Sequence, residues 1–240
     1  MKHIILTALF LLLATFTTVS AQSSSIKMSY ENGITLAHGR TYEAALKEFE
    51  NALVLTEGKS VSNDIHARIH FNIGVCLYQL HRETEAARAF EQAVKYKPRH
   101  ERAYYALGMA AAETGNWNEA GSAFLRAISI DGKNGETWFD LAYVYLAQRN
   151  FAAARLAFER STKYGSVDSA TGHNNIGVIM AMKGEFTRAE AEFKRAILAS
   201  GGSLDEARRN LDFCRQRTDK GERDIAENLE FGKTKRTIGE

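Results

Sequence analysis

Apolar and small residues recur along this chain at helical spacing, and the same arrangement returns about every 34 residues. The stretch GNWNEAGSAFLRAISIDG, residues 115–132, contains a turn-forming glycine, an aromatic residue, and then Ala120, Phe124 and Ala127. Apolar residues three and four positions apart lie on one face of an α-helix. A fixed period of this length predicts a stack of repeated helical units.

Four positions are shared by five copies of the pattern. The first is a small residue, which follows an aliphatic one in the last four copies; the second is an alanine, the third is always phenylalanine, and the fourth is again small. They are Gly33, Gly74, Gly108, Ala142 and Gly177; Ala45, Ala86, Ala120, Ala154 and Ala189; Phe49, Phe90, Phe124, Phe158 and Phe193; and Ala52, Ala93, Ala127, Ser161 and Ala196. Small residues allow two helix backbones to approach, and the phenylalanine fills the space between them.

This period and these positions resemble the tetratricopeptide repeat (TPR), a pair of antiparallel helices that stacks on the next pair. The resemblance implies an all-α fold, a TPR-type α-solenoid in which helix-turn-helix repeats form a right-handed superhelix. Five repeats are predicted within residues 26–203, at about 26–59, 67–100, 101–134, 135–169 and 170–203. The single proline, Pro98, is compatible with an almost wholly helical chain.

Three segments near or beyond the repeats depart from the pattern. The polar stretch EGKSVSNDIH, residues 57–66, predicts a longer loop between the first two copies. Residues 204–217, LDEARRNLDFCRQR, begin like a first helix but have no second helix after them, which predicts a capping helix. Residues 218–240 mix charges with little apolar periodicity, and we predict a mobile tail.

The first 21 residues have the pattern of a signal peptide. Lys2 and His3 precede an apolar run at residues 4–14, and V-S-A at residues 19–21 is a small-residue cleavage site. This pattern predicts export to a periplasm or out of the cell. The alternative is an uncleaved membrane anchor, although the run is shorter than the roughly 20 apolar residues that span a bilayer.

Charge and motifs argue against nucleic acid and against catalysis. The chain has 31 basic and 29 acidic residues, a formal net charge of +2, and no strongly basic segment of the kind that binds nucleic acid. GKS at residues 58–60 imitates a phosphate loop, but Leu53 stands where the opening glycine is needed. We therefore expect a protein that is not an enzyme and needs no cofactor or metal; an envelope enzyme is the least favoured alternative.

Two cysteines in an exported chain raise the question of a disulfide. Cys76 and Cys214 occupy equivalent places on first helices four copies apart. Stacked helices lie about 8–10 Å apart, whereas a disulfide requires Cα atoms within about 7 Å. Two interpretations stay open: both are small buried hydrophobic residues, or Cys214 forms an intermolecular bond through the capping helix.

His66 and His70 are four residues apart, a spacing that places two metal ligands on one helix face. His70, however, occupies the repeat position that carries Tyr104 and Trp138 in other copies. We therefore interpret it as a packing residue.

The resemblance also implies a concave face lined by the first helix of each repeat, where partner proteins bind. Carried over position by position, the predicted groove residues are aromatic and aliphatic, with two arginines and one asparagine. They are Tyr30, Arg68, Phe71, Val75, Tyr78, Arg102, Tyr105, Met109, Phe139, Tyr143 and Asn174. The lysine and asparagine clamp that some members use for chaperone C-termini is absent, since Tyr30 and Ile34 stand there. An exposed apolar stripe marks an interaction surface; the alternative is that these residues form the core.

These features predict a non-enzymatic scaffold that holds a peptide or helical segment of another protein. Similarity to exported bacterial TPR proteins suggests a place in cell-envelope assembly or secretion. The alternative is a self-associating structural spacer, a homo-oligomer, whose groove is filled by a second copy or by its own tail.

Overall fold

The computed structural model describes residues 24–165, 169–216 and 229–232. These residues form eleven α-helices and no strand, which confirms the predicted all-α fold. None of the described helices is both long and apolar enough to cross a membrane. The predicted signal peptide lies outside the described residues, as does most of the predicted tail.

The described chain divides into two compact units. The first contains α1 (residues 24–38), α2 (Tyr42–Val54), α3 (Asn63–Gln79), α4 (Glu83–Tyr96) and the start of α5 (Glu101–Glu113), as far as Ala106. Within this unit α3 packs against both α2 and α4.

The second unit begins at Leu107 and contains the rest of α5 and six further helices. These are α6 (Trp117–Ile130), α7 (Gly135–Ala147), α8 (Phe151–Lys163), α9 (Ser169–Met182), α10 (Phe186–Ala199) and α11 (Asp205–Gln216). Each helix from α6 to α11 packs against the next along the chain, and α9 also contacts α11. Helix α9 is the first helix of its repeat and α11 is the predicted capping helix, so this contact joins the last repeat to its cap.

The repeated glycine and phenylalanine meet inside each helix pair. A Cβ atom added at Gly108 would lie 2.6 Å from the ring of Phe124, and one at Gly177 would lie 2.6 Å from the ring of Phe193. Gly33 and Gly74 face their phenylalanines in the same way. The rings are fully buried. Each ring fills the space that a side chain at the first-helix position would need, which explains why a small residue recurs there.

The turn inside each helix pair contains one residue in the left-handed backbone region. These residues are Arg40, His81, Gly115, Arg149 and Gly184, with φ between 56° and 77°. Only glycine adopts this conformation without steric cost, yet three of the five positions carry a longer side chain. The five turns therefore share this geometry whether or not glycine occupies the position.

The loop predicted at residues 57–66 is shorter than expected. Helix α3 already begins at Asn63, so the last four residues of the predicted loop form its first turn. Ser62 caps this helix, since the Ile65 amide donates to Ser62 Oγ at 3.4 Å. A serine at the N-cap position accepts a hydrogen bond from an amide in the first turn of the helix. The polar composition of residues 57–66 did not predict this earlier helix start.

Candidate functional site

A short C-terminal segment, Leu229–Gly232, lies in the second unit against α7, α9 and α11. It belongs to the tail predicted to be mobile, and its flanking residues are outside the described chain. These four residues do not fit that prediction, because side chains of the three helices form hydrogen bonds with the main chain of Glu230 and Gly232. We call this the C-terminal segment, and the surface that holds it the asparagine groove; its lining residues are Tyr143, Thr171, Asn174, Asn175, Arg209 and Asn210.

Two asparagines bind the main chain of Glu230. The Glu230 amide donates to Asn210 Oδ1 at 2.9 Å, and Asn210 Nδ2 donates to the Glu230 carbonyl at 2.9 Å. Asn174 Nδ2 donates to the same carbonyl at 3.0 Å. Asn210 Nδ2 also donates to Asn174 Oδ1 at 2.8 Å, which joins α11 to α9.

A second pairing holds Gly232. Its amide donates to Asn175 Oδ1 at 2.8 Å, and Asn175 Nδ2 donates back to the Gly232 carbonyl at 3.3 Å. The Tyr143 hydroxyl donates to this carbonyl and accepts from Asn175 Nδ2 at 3.0 Å. Alternate residues thus pair through both main-chain groups, which is the hydrogen-bond pattern of an extended chain.

Side chains of the segment make three further contacts. Leu229 is 8% exposed and belongs to the hydrophobic core of the second unit, and Phe231 packs against that core. Glu230 is exposed and forms a bidentate ion pair with Arg209, with N–O distances of 3.0 and 2.6 Å. The hydrogen bond from Arg209 holds the pKa of Glu230 below its ordinary value.

Gly232 lies against Thr171 on α9. A Cβ atom at Gly232 would be 2.8 Å from Thr171 Cγ2, a separation that real Cβ atoms do not adopt. Thr171 is buried, so the methyl group has little room to move. The groove therefore accepts glycine at this position and resists larger residues.

The three asparagines are each 0% exposed. Buried amides are destabilising unless their donors and acceptors are paired. Here the main chain of the segment supplies a large part of that pairing. The buried amides of the three asparagines are therefore satisfied in part by main-chain groups of Glu230 and Gly232.

The structure places the predicted groove residues of the second unit in two environments. Tyr143 and Asn174 touch the C-terminal segment. Phe139 is completely buried, with ring centroids 5.4 Å from Phe158 and 5.1 Å from Tyr143. Met109 is also buried.

In the first unit Tyr30 and Arg68 line a pocket of about 850 Å³. The pocket is formed by α1, α3 and residues 60–62, and Ile26 and Ile34 add apolar lining. The Arg68 guanidinium lies 4.9 Å above the centre of the Tyr30 ring, a cation–π contact that leaves Arg68 exposed. We call this space the α1–α3 pocket.

The other predicted residues of the first unit are more enclosed. Phe71 is buried between the rings of Phe90 and His100, and the Arg102 guanidinium lies 5.4 Å from its centroid. Tyr78 is buried as well. Val75 and Tyr105 are half-buried.

Neither cysteine forms a disulfide within the described residues, and both are buried. Burial raises the pKa of Cys76 to about 12, so this thiol is unreactive near neutral pH. An intermolecular disulfide through Cys214 would require α11 to open. The imidazole rings of His66 and His70 both stack on Tyr96, at 4.7 and 5.6 Å.

Sequence reasoning missed four lining residues and the segment itself: Thr171, Asn175, Arg209 and Asn210, with Leu229–Gly232. Two signals were present. Asn174 and Asn175 are adjacent amides that directly precede the apolar run of α9, and LEFG at residues 229–232 is an apolar and acidic cluster within a charged tail.

Helix pairs packed through a small residue and a phenylalanine, repeated along the chain, define a helical-repeat protein. A family model described as tetratricopeptide repeat matches residues 80–135 and 139–204, more than half of the chain. The chain therefore belongs to the tetratricopeptide repeat family, and its fold is a TPR-type α-solenoid. Proteins of this family are generally protein-interaction modules without catalytic activity.

Several solved structures share this fold. MamA from Desulfovibrio magneticus RS-1 is 14% identical, with a TM-score of 0.66 over 75% of this chain and 97% of MamA. YrrB, described as a TPR protein with an unusual peptide-binding site, is 18% identical, with a TM-score of 0.65 over 79% of this chain and 93% of YrrB. PilF from Pseudomonas aeruginosa is 18% identical, with a TM-score of 0.62 over 86% of this chain and 89% of PilF. No curated protein matches the chain.

Proposed function

We propose that this protein is a non-enzymatic scaffold that holds a segment of a partner protein against the first helices of its repeats. The observation that carries the proposal is the C-terminal segment, whose main chain pairs with Asn175 and Asn210. A surface that binds four residues of its own chain through main-chain groups is able to bind an extended segment of another protein.

The α1–α3 pocket supports the same function in the first unit. It uses first-helix positions, and its lining combines isoleucines with Tyr30 and Arg68. Aromatic residues and arginine are the side chains that most often anchor protein interfaces. The proposed partner site of this unit is therefore the surface around Tyr30, Ile34 and Arg68.

We place the scaffold in the cell envelope, in assembly or secretion. The support is the pattern of residues 1–21, with its apolar run and small-residue cleavage site. The expected outcome of cell fractionation is a chain shortened by 21 residues outside the cytoplasm. A full-length chain in the cytoplasm would contradict this location.

Paired affinity baits test the scaffold function of the first unit. We would immobilise the wild type, Ile34→Arg and Met28→Arg, and identify by quantitative mass spectrometry what each retains from an envelope fraction. Ile34 lines the α1–α3 pocket, whereas Met28 is an exposed residue of the same helix outside the lining. Met28→Arg is therefore the matched control for charge and for helix propensity.

The expected result is a protein that the wild type and Met28→Arg retain and that Ile34→Arg loses by at least about tenfold. Circular dichroism of all three would confirm equal helicity. Retention that is equal in all three, or absent from all three, would contradict a partner site in this pocket.

A further inference from the structure

We propose that the asparagine groove recognises extended partner segments of the pattern apolar, acidic, apolar, glycine, and that the chain carries a competing copy in Leu229–Gly232. This inference rests on the proposed scaffold function and names the partner chemistry for the second unit. The first support is that a segment of this pattern already occupies the groove, bonded to three helices.

The main-chain contacts require an extended segment. Asn210 pairs with both main-chain groups of Glu230, and Asn175 pairs with both main-chain groups of Gly232. A helical partner cannot offer these groups, because its own hydrogen bonds consume them. The groove therefore selects for unfolded or strand-like segments.

Side-chain contacts give the groove its sequence preference. Leu229 enters the hydrophobic core of the second unit, and Glu230 meets the Arg209 guanidinium in a bidentate pair. Bidentate pairing of arginine with a carboxylate is directional and favours an acidic residue at this position. The close approach of Thr171 to Gly232 excludes a Cβ at the fourth position.

The covalent link makes the C-terminal segment a competitor of any partner. A covalently tethered ligand acts at an effective concentration set by the length and stiffness of its link, and not by its concentration in solution. A partner segment in solution must exceed this local concentration or bind with more contacts. The wild-type groove should therefore bind a free peptide weakly, and a chain whose own segment is released should bind it tightly.

The test uses a fluorescently labelled peptide with the sequence of residues 226–235, AENLEFGKTK, and the full-length chain. Fluorescence anisotropy compares the wild type with Gly232→Val, which places a branched side chain against Thr171 and releases the segment. We expect the peptide to bind Gly232→Val at least about tenfold more tightly than the wild type. A second releasing variant, Glu230→Arg in the chain, should behave in the same way.

Two altered peptides test the sequence preference on the Gly232→Val chain. A peptide with Gly232→Val should bind at least about tenfold more weakly than the unaltered one. A peptide with Glu230→Arg should also bind more weakly, and its affinity should return on a chain with Arg209→Glu. Arg208→Glu is the matched control, because Arg208 pairs with Asp205 and not with the segment.

Three results would overturn the inference. Equal binding of all peptides would remove the sequence preference, and equal binding to wild type and both released chains would remove the competition. A wild-type oligomer that Gly232→Val converts to monomer would show that the occupant is the segment of a second copy. Each result is separate from the Ile34→Arg comparison, which decides the scaffold function in the other unit.

Discussion

Gly108 illustrates how one missing methyl group sets the spacing of a helix pair. An alanine Cβ at this position would lie 2.6 Å from the buried Phe124 ring, so either the ring or the helix must move. We expect Gly108→Ala to lower the free energy of unfolding by about 1–2 kcal/mol. Overpacking costs about 1–3 kcal/mol, and the better helix propensity of alanine offsets up to about 1 kcal/mol.

Urea denaturation followed by circular dichroism measures this change, with Gly121→Ala as the control. A Cβ at Gly121 would meet Val144 at an ordinary 3.5 Å, so this variant should be about 0.5–1 kcal/mol more stable than the wild type. If both variants gained stability, the Phe124 ring would have room to move.

Two histidines of the first unit make its stability depend on pH. Burial lowers the pKa of His70 from 6.5, with His66 as a second cause, and burial also lowers the pKa of His100. The unfolded chain therefore takes up protons before the folded chain as the pH falls below 6.5. Stability that is present above pH 6.5 should be lost progressively toward pH 5.

We expect His70→Tyr to reduce this loss, because it removes one of the two groups and keeps a ring beside Tyr96. Melting temperatures at pH 7.5, 6.5, 5.5 and 5.0 would measure the slope. His38→Tyr, at an exposed site on α1, is the control. Identical slopes for the wild type and both variants would show that His70 is not responsible.

The residue pattern predicted the contacts that recur in every repeat, but it did not predict contacts that occur at a single place in the chain. The positions of Gly108 and Phe124 appear in several copies, so the period alone identifies them as a pair. Asn175 and Asn210 act only where the C-terminal segment meets them, and no repetition marks them. The segment itself is separated from its groove by residues 217–228, so no local pattern connects the two.

At the scale of single helices, some N-cap side chains hydrogen-bond to amides of the first turn and others do not. Asn134 Oδ1 accepts from the Glu136 and Thr137 amides at 3.1 Å at the start of α7. Asn116 has the same position before α6, but its side chain makes no cap hydrogen bond. The same residue type therefore has different energetic roles at these two N-cap positions.

We expect Asn134→Ala to lower the free energy of unfolding by about 1 kcal/mol, since an orphaned helix donor loses its acceptor. Asn116→Ala should cost clearly less, because only its bond to the Thr114 hydroxyl is lost. Chemical denaturation of both variants compares them directly. Equal losses would mean that the Asn134 cap bonds contribute little beyond local propensity.

Helix types were predictable, but helix starts were less so. The alternation of first and second helices follows from the period, whereas the start of α3 at Asn63 depends on the Ser62 hydroxyl. The same limit applies to the predicted groove residues. Helix position identifies Phe139 as a first-helix residue, but its complete burial involves the rings of Phe158 and Tyr143, which the position alone does not reveal.

At the scale of the whole chain, release of the C-terminal segment should affect one unit and not the other. Its hydrogen bonds go to α7, α9 and α11, all of which belong to the second unit. In Gly232→Val we expect faster hydrogen exchange in α9 and α11, because their buried asparagines lose main-chain partners. Helices α2 to α4 should exchange at the wild-type rate.

Hydrogen exchange with mass spectrometry measures both units in one experiment. Arg208→Glu supplies a control with an altered charge on α11 and an intact segment. Faster exchange throughout the chain would show that the variant loosens the fold generally, and unchanged exchange in α9 and α11 would show that the segment contributes nothing to their stability.

The order of the hydrogen bonds along the asparagine groove fixes the N-to-C direction of the bound segment. The chain passes from Asn210 on α11, which holds Glu230, to Asn175 and Tyr143, which hold Gly232 beside α9 and α7. A guest with the same pairing must thread in the same direction, so a retro-sequence peptide would present the wrong groups. A photoreactive label before the leucine should mark α11, and one after the glycine should mark α7.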